Sequence, residues 1–498
     1  MTDADLDETR AWRIAFTIVA LLTLVRLVVL FATPLELYPD EAQYWLWSRH
    51  LAFGYFSKPP VIAWLIWLTT SVGGDTEPFV RLAAPILHAG AALALYGVGA
   101  RLYGARTGIV ACLVYSLMPG VQLSSGVIST DAPLLFFLSL ALLAYAFLQT
   151  KGSVASALGL GAALGMAMLS KYAALYAIGG IVLHLIFSRE ARQAWSWRTA
   201  LAAVGAFAVV LAPNVIWNAQ HHFSTLEHTA SNANWGDNLG GLPELADFLG
   251  SQFGVFGPLP FAVLIAGALV LAVRKRLARE DVMLLCWALP PLIIVAAQAF
   301  ISRSNANWAA SAYVAGSVLV AAWLIRWRAK WWLIGGLGLQ ALVAAVFLLW
   351  AANPKTADAM GAANSFKRAR GWQETVESIT RLAAVDPGIT AVAVDNRFLF
   401  NEAAYYGRDV FSRPGAPPLR MWVSGATARN QAEAEAPLTP ALGARVLGAS
   451  YEGVYRDRML ADFEAAKVVE IARVRLDRKH YRRTELLIGE GFNPRPRR

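Results

Sequence analysis

Two adjacent carboxylates, Asp40 and Glu41, stand in the stretch "YPDEAQYWLWSRHLAFGYFSKPP", Tyr38 to Pro60, and Lys58 closes it ahead of two prolines. A carboxylate beside an acceptor hydroxyl can take its proton, and a cation can meet the charge of a departing phosphate. Pro39 suits the first turn of a helix, where its missing N–H costs nothing, so Asp40 and Glu41 fall in that first turn. Asp40 and Tyr44 are four residues apart and share a helical face. Lys58 precedes "PPVIAWLIWLTTSVG", an apolar segment too short to span a membrane. An ammonium beside the free N–H groups of that segment's first turn makes an anion site. Each residue also has a plain structural reading. Acids in a first turn are favoured by the helix dipole alone, and a lysine at a membrane edge snorkels. The clustering of all of them on one loop weighs against it.

Further along, "SSGVISTDAPLLFF" places Asp131 at the mouth of an apolar helix, where it or Thr130 would otherwise serve as a cap. "SKY" places Lys171 at a turn between two apolar runs. The loop "NVIWNAQHHFSTLEHTASNANW" carries Asn218, His221, His222 and His228 beside Glu227. Its histidines match no strong zinc spacing. Its tryptophans suit the apolar face of a sugar ring. "FISRSNANWAASAY" repeats that composition with Arg303, Asn307 and Trp308. An arginine there pairs with phosphate or carboxylate, or simply marks an edge.

These residues need elements to hold them, and the composition says which. The chain of 498 residues is 57% hydrophobic and 16% charged. Soluble domains are nearer about 45–50% apolar and about 25% charged. A polytopic α-helical membrane protein is expected, with roughly eleven to thirteen spans of roughly 20 residues each. Eleven apolar runs are visible: 12–32, 80–100, 107–126, 132–150, 154–170, 172–188, 199–217, 256–273, 282–301, 308–325 and 331–352. The first is a retained helix, with no small-residue cleavage site after it. Cys112 and Cys286 lie in apolar runs, so neither a disulfide framework nor a cysteine-based zinc site is expected. Alternate loops carry fifteen lysines and arginines against five in the opposite set. The basic set is therefore cytoplasmic, and the net charge of +10 reflects those loops rather than nucleic acid. Residues 1–352 form the membrane domain, with juxtamembrane helices in the outer loop 33–79. Residues 353–498 return to soluble composition and read as a small outer-face α/β domain, with a helix near "SFKRARGWQETVESITRLAA" and strands at "TAVAV" and "AKVVEIARV".

The set "DE", "YFSKPP" and "TDAP" after an N-terminal span, followed by "PNVIWNAQHHFSTLEHTASNA" and "NANWAASAY", resembles the integral-membrane GT-C glycosyltransferases. Closest are the bacterial members of the protein-mannosyltransferase-like superfamily, among them the aminoarabinose and galacturonic acid transferases of lipid A. The resemblance covers roughly residues 10–350. It implies a polyprenyl-phosphate-linked sugar as donor, a lipid or glycan acceptor (lipid A or lipopolysaccharide core favoured), and a cavity at the outer membrane boundary. Asp40 matches the family's essential aspartate, with Glu41 beside it; Lys58 matches the lysine on lipid phosphate, Tyr55 the tyrosine before it, and Asp131 a second functional aspartate. Ser57 stands where aminoarabinose transferases have a glutamate that helps to hold zinc, and Gln43 where an arginine is expected. Both departures argue against that zinc site and against aminoarabinose as the sugar.

The resulting expectation is inverting transfer. Asp40, Glu41 and Asp131 are the catalytic candidates, and Lys58, Lys171 and Arg303 bind the donor phosphate. Tyr44, Tyr55, Asn218, His221, His222, Asn307 and Trp308 bind sugar or acceptor. No cofactor is required, and a divalent metal on the paired carboxylates is left open. Membrane lipids are partners, nucleic acid is not, and a monomer in the bacterial inner membrane is expected, its site and C-terminal domain periplasmic. The rival classes are a transporter or lipid flippase, whose charges should lie at the bilayer midplane, and protein O-glycosylation as an alternative acceptor chemistry. Arg26, inside the first span, is the one charge that fits the transporter. An outer-face sensor or scaffold leaves the "DE…KPP…TDAP" set unexplained.

Overall fold

The computed structural model describes residues 7–231 and 241–497. All eleven apolar runs are helical. Among the described residues six helices are individually long and apolar enough to cross a membrane, and up to eight if two bent pairs each count as one span. This is fewer than expected from the runs alone. The remaining three, Val154–Ser170, Leu175–Phe187 and Ala312–Arg326, have 17, 13 and 15 residues. At about 1.5 Å per residue they fall short of a bilayer core of roughly 30 Å. Ala312–Arg326 is buried almost throughout, as suits a helix at the centre of the bundle.

Both bent pairs break at a proline. Ala105–Ser116 and Pro119–Gly126 meet at 59°, and Gly241–Val255 and Pro258–Val273 at 117°. A proline cannot donate to the preceding turn, so the chain stops and restarts. The first break explains Arg26. Its guanidinium donates to the freed carbonyl of Ser116 and, at 3.2 Å, to Gln122 Oε1. Gln122 Nε2 donates to the same carbonyl at 2.6 Å. The arginine therefore serves the negative end of a broken helix rather than a transport path.

On the side that carries the C-terminal domain, Pro39–Ser48 and Val61–Gly73 are the two expected short helices. Glu41 ties the first to the bundle. It accepts from Tyr38 N–H at 2.9 Å, the reach-back of an N3 glutamate, and from Ile128 N–H at 2.8 Å. It also pairs with Arg81 at 2.7 Å, both side chains almost wholly buried. Arg81 donates in turn to the Leu35 and Glu36 carbonyls at 3.0 and 2.6 Å.

The last apolar helix ends at Ala352, and a five-stranded sheet domain follows. Its strands are β1 Ala391–Val394, β2 Leu419–Met421, β3 Arg445–Tyr451, β4 Phe463–Arg475 and β5 Tyr481–Phe492, in the order β2-β1-β3-β5-β4. β1 is parallel to β2 and β3, while β5 is antiparallel to β3 and β4. β1 is buried on both faces, as an interior strand of a covered sheet must be. Its two faces pack separately, Val392 and Val394 with Trp372 and Ile379, and Ala391 and Ala393 with Trp422 and Met459. The helix after β1, Arg397–Tyr406, lies against Pro39–Ser48. Tyr405 donates to the Asp75 carbonyl at 2.9 Å, the Tyr406 hydroxyl accepts from Leu37 N–H at 2.9 Å, and Trp45 Nε1 donates to Asp75 at 2.7 Å. Glu36 accepts from Trp372 N–H at 2.5 Å, at the start of the helix Trp372–Val385. The sheet domain is thus bolted onto the loop 33–79.

Candidate active site

Three residues from distant parts of the chain meet first. Asp131 opens the helix Asp131–Lys151, Lys171 sits in extended backbone where Val154–Ser170 ends, and Asn307 lies in the turn Ala306–Ala309. Lys171 Nζ is 2.7 Å from one Asp131 carboxylate oxygen, and Asn307 Nδ2 donates to the other at 2.6 Å. Asp131 makes no side-chain cap, nor does Thr130. Lys171 is not a freely solvated turn lysine, since its side chain is only 19% exposed.

Asp40, Tyr44 and Lys58 adjoin this trio. The Asp40 carboxylate is 59% exposed, and among the described residues its one ion pair is a loose 3.8 Å approach from Arg397. Lys58 has no carboxylate partner among the described residues. Burial, and then the neighbouring Lys171, push its ammonium below the usual lysine range, against the pull of Asp40 and Asp131. Burial, and then the charges of Asp40 and Asp131, hold the Tyr44 phenol well above its ordinary range, so it stays a proton donor. His228 is pushed down by burial and by the cations Lys58 and Arg397. Burial is the larger cause, and an anion bound beside Lys58 and Lys171 would favour the charged ammonium.

Several expectations change. Glu41, expected among the catalytic candidates, is engaged by the scaffold: its oxygens are taken by Arg81 and two backbone N–H groups, and it is 1% exposed. Asn218 is buried in a cluster with Asn214 and Tyr172, to which its Nδ2 donates. Its neighbour Asn214 donates to the Phe53 carbonyl at 2.5 Å, and Gly54 packs where a Cβ would stand 2.3 Å from the Trp217 ring. Together they fix the loop 50–56. The Tyr55 hydroxyl is spent on that loop, 3.1 Å from the carbonyls of Trp47 and His50, while its ring lines a cavity. His221 stacks on Trp217 at 4.0 Å, and its Nδ1 lies 2.8 Å from the Trp217 carbonyl. His221 and His222 line the same cavity as Tyr55, apart from the Asp131 trio. Trp308 packs against the helical core. Arg303 is exposed, with no ion pair among the described residues. The Asn and Trp positions at 232–235 lie outside the described residues.

Among the described residues no three His, Cys, Asp or Glu side chains converge on a point that could hold a metal. The Glu41 carboxylate is engaged by Arg81.

Arg397 was not legible as a site residue. It follows Asn396, whose side chain accepts from Phe398 N–H at 2.8 Å and caps the helix just past the carboxyl end of β1. Its Nη1 approaches Gln43 Oε1 at 3.4 Å, and Asn401 approaches the same oxygen at 3.5 Å. The one available signal was a strand followed by Asp-Asn-Arg, since the carboxyl end of parallel strands is where such sheets place binding groups.

Residues 57–217 match the family model described as dolichyl-phosphate-mannose-protein mannosyltransferase. The chain is 36% identical over 392 residues to the lipid A galacturonosyltransferase RgtD of Rhizobium johnstonii, covering 78% of this chain and 82% of that one. It is 27% identical over 284 residues to the undecaprenyl phosphate-α-4-amino-4-deoxy-L-arabinose arabinosyl transferase of Aeromonas hydrophila, covering 51% of this chain and 50% of that one. In fold it is similar to ArnT from Cupriavidus metallidurans bound to undecaprenyl phosphate, with TM-score 0.66 at 19% identity over 97% of this chain and 99% of that one.

Proposed function

This chain belongs to the integral-membrane GT-C glycosyltransferases, in the family of the lipid A galacturonosyltransferases, and from that premise we propose that it moves a uronic-acid-type sugar from a polyprenyl-phosphate carrier to a lipid A-type acceptor at the periplasmic face of the inner membrane. The observation that carries this reading is the meeting of Asp131, Lys171 and Asn307 beside Asp40 and Lys58. Sugar identity rests on the galacturonosyltransferase relative, and it accords with Gln43 in place of the arginine expected of aminoarabinose enzymes.

The acceptor hydroxyl attacks the anomeric carbon of the donor sugar, and its proton passes to the Asp40 carboxylate. The bond from that carbon to the lipid phosphate oxygen breaks, and the electron pair leaves with the phosphate. Lys58 meets the charge as it develops. Asp131 holds Lys171 beside the same phosphate and, through Asn307, pins the turn 306–309; it is a positioning residue. Attack opposite the leaving group inverts the anomeric centre. The Tyr44 phenol, kept protonated, donates to the sugar or acceptor.

The direct test is transfer of radiolabelled galacturonic acid from purified polyprenyl-phosphate galacturonate to lipid A by the purified protein in detergent. Product is expected only when donor and lipid acceptor are both present. A protein that binds donor but yields no labelled lipid would sink the proposal. Orientation has its own check. Cysteines placed at 40, 58 and 131 should react in intact spheroplasts with a membrane-impermeant maleimide, and labelling that needs permeabilised cells would reverse the topology.

Lys58 predicts a pH effect. Its pKa is lowered, so the charged form is present below that value and lost as pH rises through it, earlier than for an exposed lysine. Transfer rate should therefore decline on the alkaline side below pH ~10, the ordinary lysine range. Lys58→Arg should push that decline to higher pH. An alkaline limb unmoved in Lys58→Arg assigns the titration to another group.

A further inference from the structure

A cavity of about 1240 Å³ opens between the membrane domain and the sheet domain. Its size exceeds the roughly 300–1,000 Å³ that holds one small molecule. Neither Lys58, Lys171, Asp131 nor Asn307 lines it, whereas Arg397, the residue facing Asp40, does. One wall is the stacked pair Trp47 and Tyr55, ring centroids 4.8 Å apart and 2° from parallel. The two rings are stacked on each other and buried, so they stiffen this wall.

The opposite wall comes from the sheet domain and carries Arg408 and Arg420. A guanidinium has five donors, and these two are hardly used. Arg408 donates to the Tyr405 carbonyl at 2.6 Å and lies over that ring, and Arg420 donates to the Leu419 carbonyl at 3.0 Å. Among the described residues neither makes an ion pair. The acid in the lining, Glu435, accepts from Gln431 at 2.8 Å. Two half-buried arginines with no ion pair among the described residues, set in a largely apolar cavity, form a receptor for the negative charge of an amphipathic, lipid-borne sugar.

We propose that this cavity binds the anionic sugar headgroup of the acceptor lipid, with Arg408 and Arg420 holding its phosphate or carboxylate groups and Arg397 guiding its hydroxyl toward Asp40. This rests on the proposed transfer to a lipid acceptor and assigns the C-terminal domain the choice of that acceptor. Donor phosphate and acceptor charge are then met by separate cations on opposite sides of Asp40.

The test measures binding without turnover, on the full-length Asp40→Asn protein in nanodiscs. Three lipid A probes are compared: the bisphosphorylated form, a form with a carboxylated sugar in place of phosphate, and a neutral dephosphorylated form. An anionic form should bind about 10-fold or more tightly than the neutral one, and which one does so identifies the charge that is read. Arg408→Gln with Arg420→Gln should erase that preference and leave undecaprenyl phosphate affinity within about twofold. Arg408→Lys with Arg420→Lys, which keeps the charge, should retain part of it, with unchanged unfolding temperature reporting an intact fold. No preference for charged lipid A, or loss of undecaprenyl phosphate binding alongside it, overturns the proposal. Arginine-dependent binding by a wild-type protein that transfers no sugar would keep the site and remove the transfer reading.

Discussion

Asp40→Asn is expected to lower kcat by on the order of 10²–10⁴-fold, the usual share of a general base, while the protein still folds. The substitution keeps the shape and removes the charge. The Asp40 side chain is 59% exposed, and its ion pair is a 3.8 Å approach to Arg397, so little of the fold depends on it. The neighbouring carboxylates cannot replace it. Glu41 is held by Arg81, and both oxygens of Asp131 are taken by Lys171 and Asn307. Initial rates of labelled transfer at saturating donor, with thermal unfolding measured on the same preparation, separate chemistry from folding. A variant that keeps a tenth or more of the wild-type rate would remove Asp40 as the proton acceptor and leave it an orienting role.

Arg81→Ala is the corresponding experiment on the scaffold. It leaves the Glu41 carboxylate in the interior with two backbone N–H groups and no cation. Breaking a buried pair from one side costs about 3–5 kcal/mol, because the remaining charge is uncompensated. Arg81 also satisfies the carbonyls of Leu35 and Glu36, so the chain joining the first span to the site loses its anchor. A large drop in unfolding temperature is expected. Arg81→Met combined with Glu41→Gln should recover part of it, since the pair is then removed rather than halved. If Glu41 only braces the helix, Glu41→Gln should lose activity in step with stability and regain it on cooling. Activity lost at every temperature in a folded Glu41→Gln protein would return Glu41 to the chemistry.

The two carboxylates show where reading a sequence stops. Asp and Glu at 40 and 41 are equivalent in a linear view: both follow Pro39, both fall in a first helical turn, and both suit the helix dipole. Only the packing of Pro39–Ser48 onto the segments 77–81 and 127–128 turns one toward Arg81 and leaves the other in the cleft. Successive helical residues are about 100° apart, so one faces the bundle when the other faces solvent. The same limit applies at Tyr55 and Asn218. Their residue types suit a sugar, but one hydroxyl and one amide were needed to satisfy loop and helix backbone, and that demand is visible only in three dimensions.

The linear pattern alone established that the chain is a multi-helix membrane protein, that its basic loops alternate, that a soluble α/β segment follows Ala352, and that Asp40, Lys58, Asp131 and Lys171 belong to one face. Hydrophobic runs, charge asymmetry and composition are local quantities, and a membrane enforces them residue by residue. The tertiary structure decided which of those groups touch, how Arg26 is accommodated, and that Arg397, more than 350 residues from Asp40 in the chain, reaches the site. Such contacts depend on how two domains dock through Tyr405, Tyr406 and Glu36. Docking is a property of complementary surfaces that no local window of sequence contains.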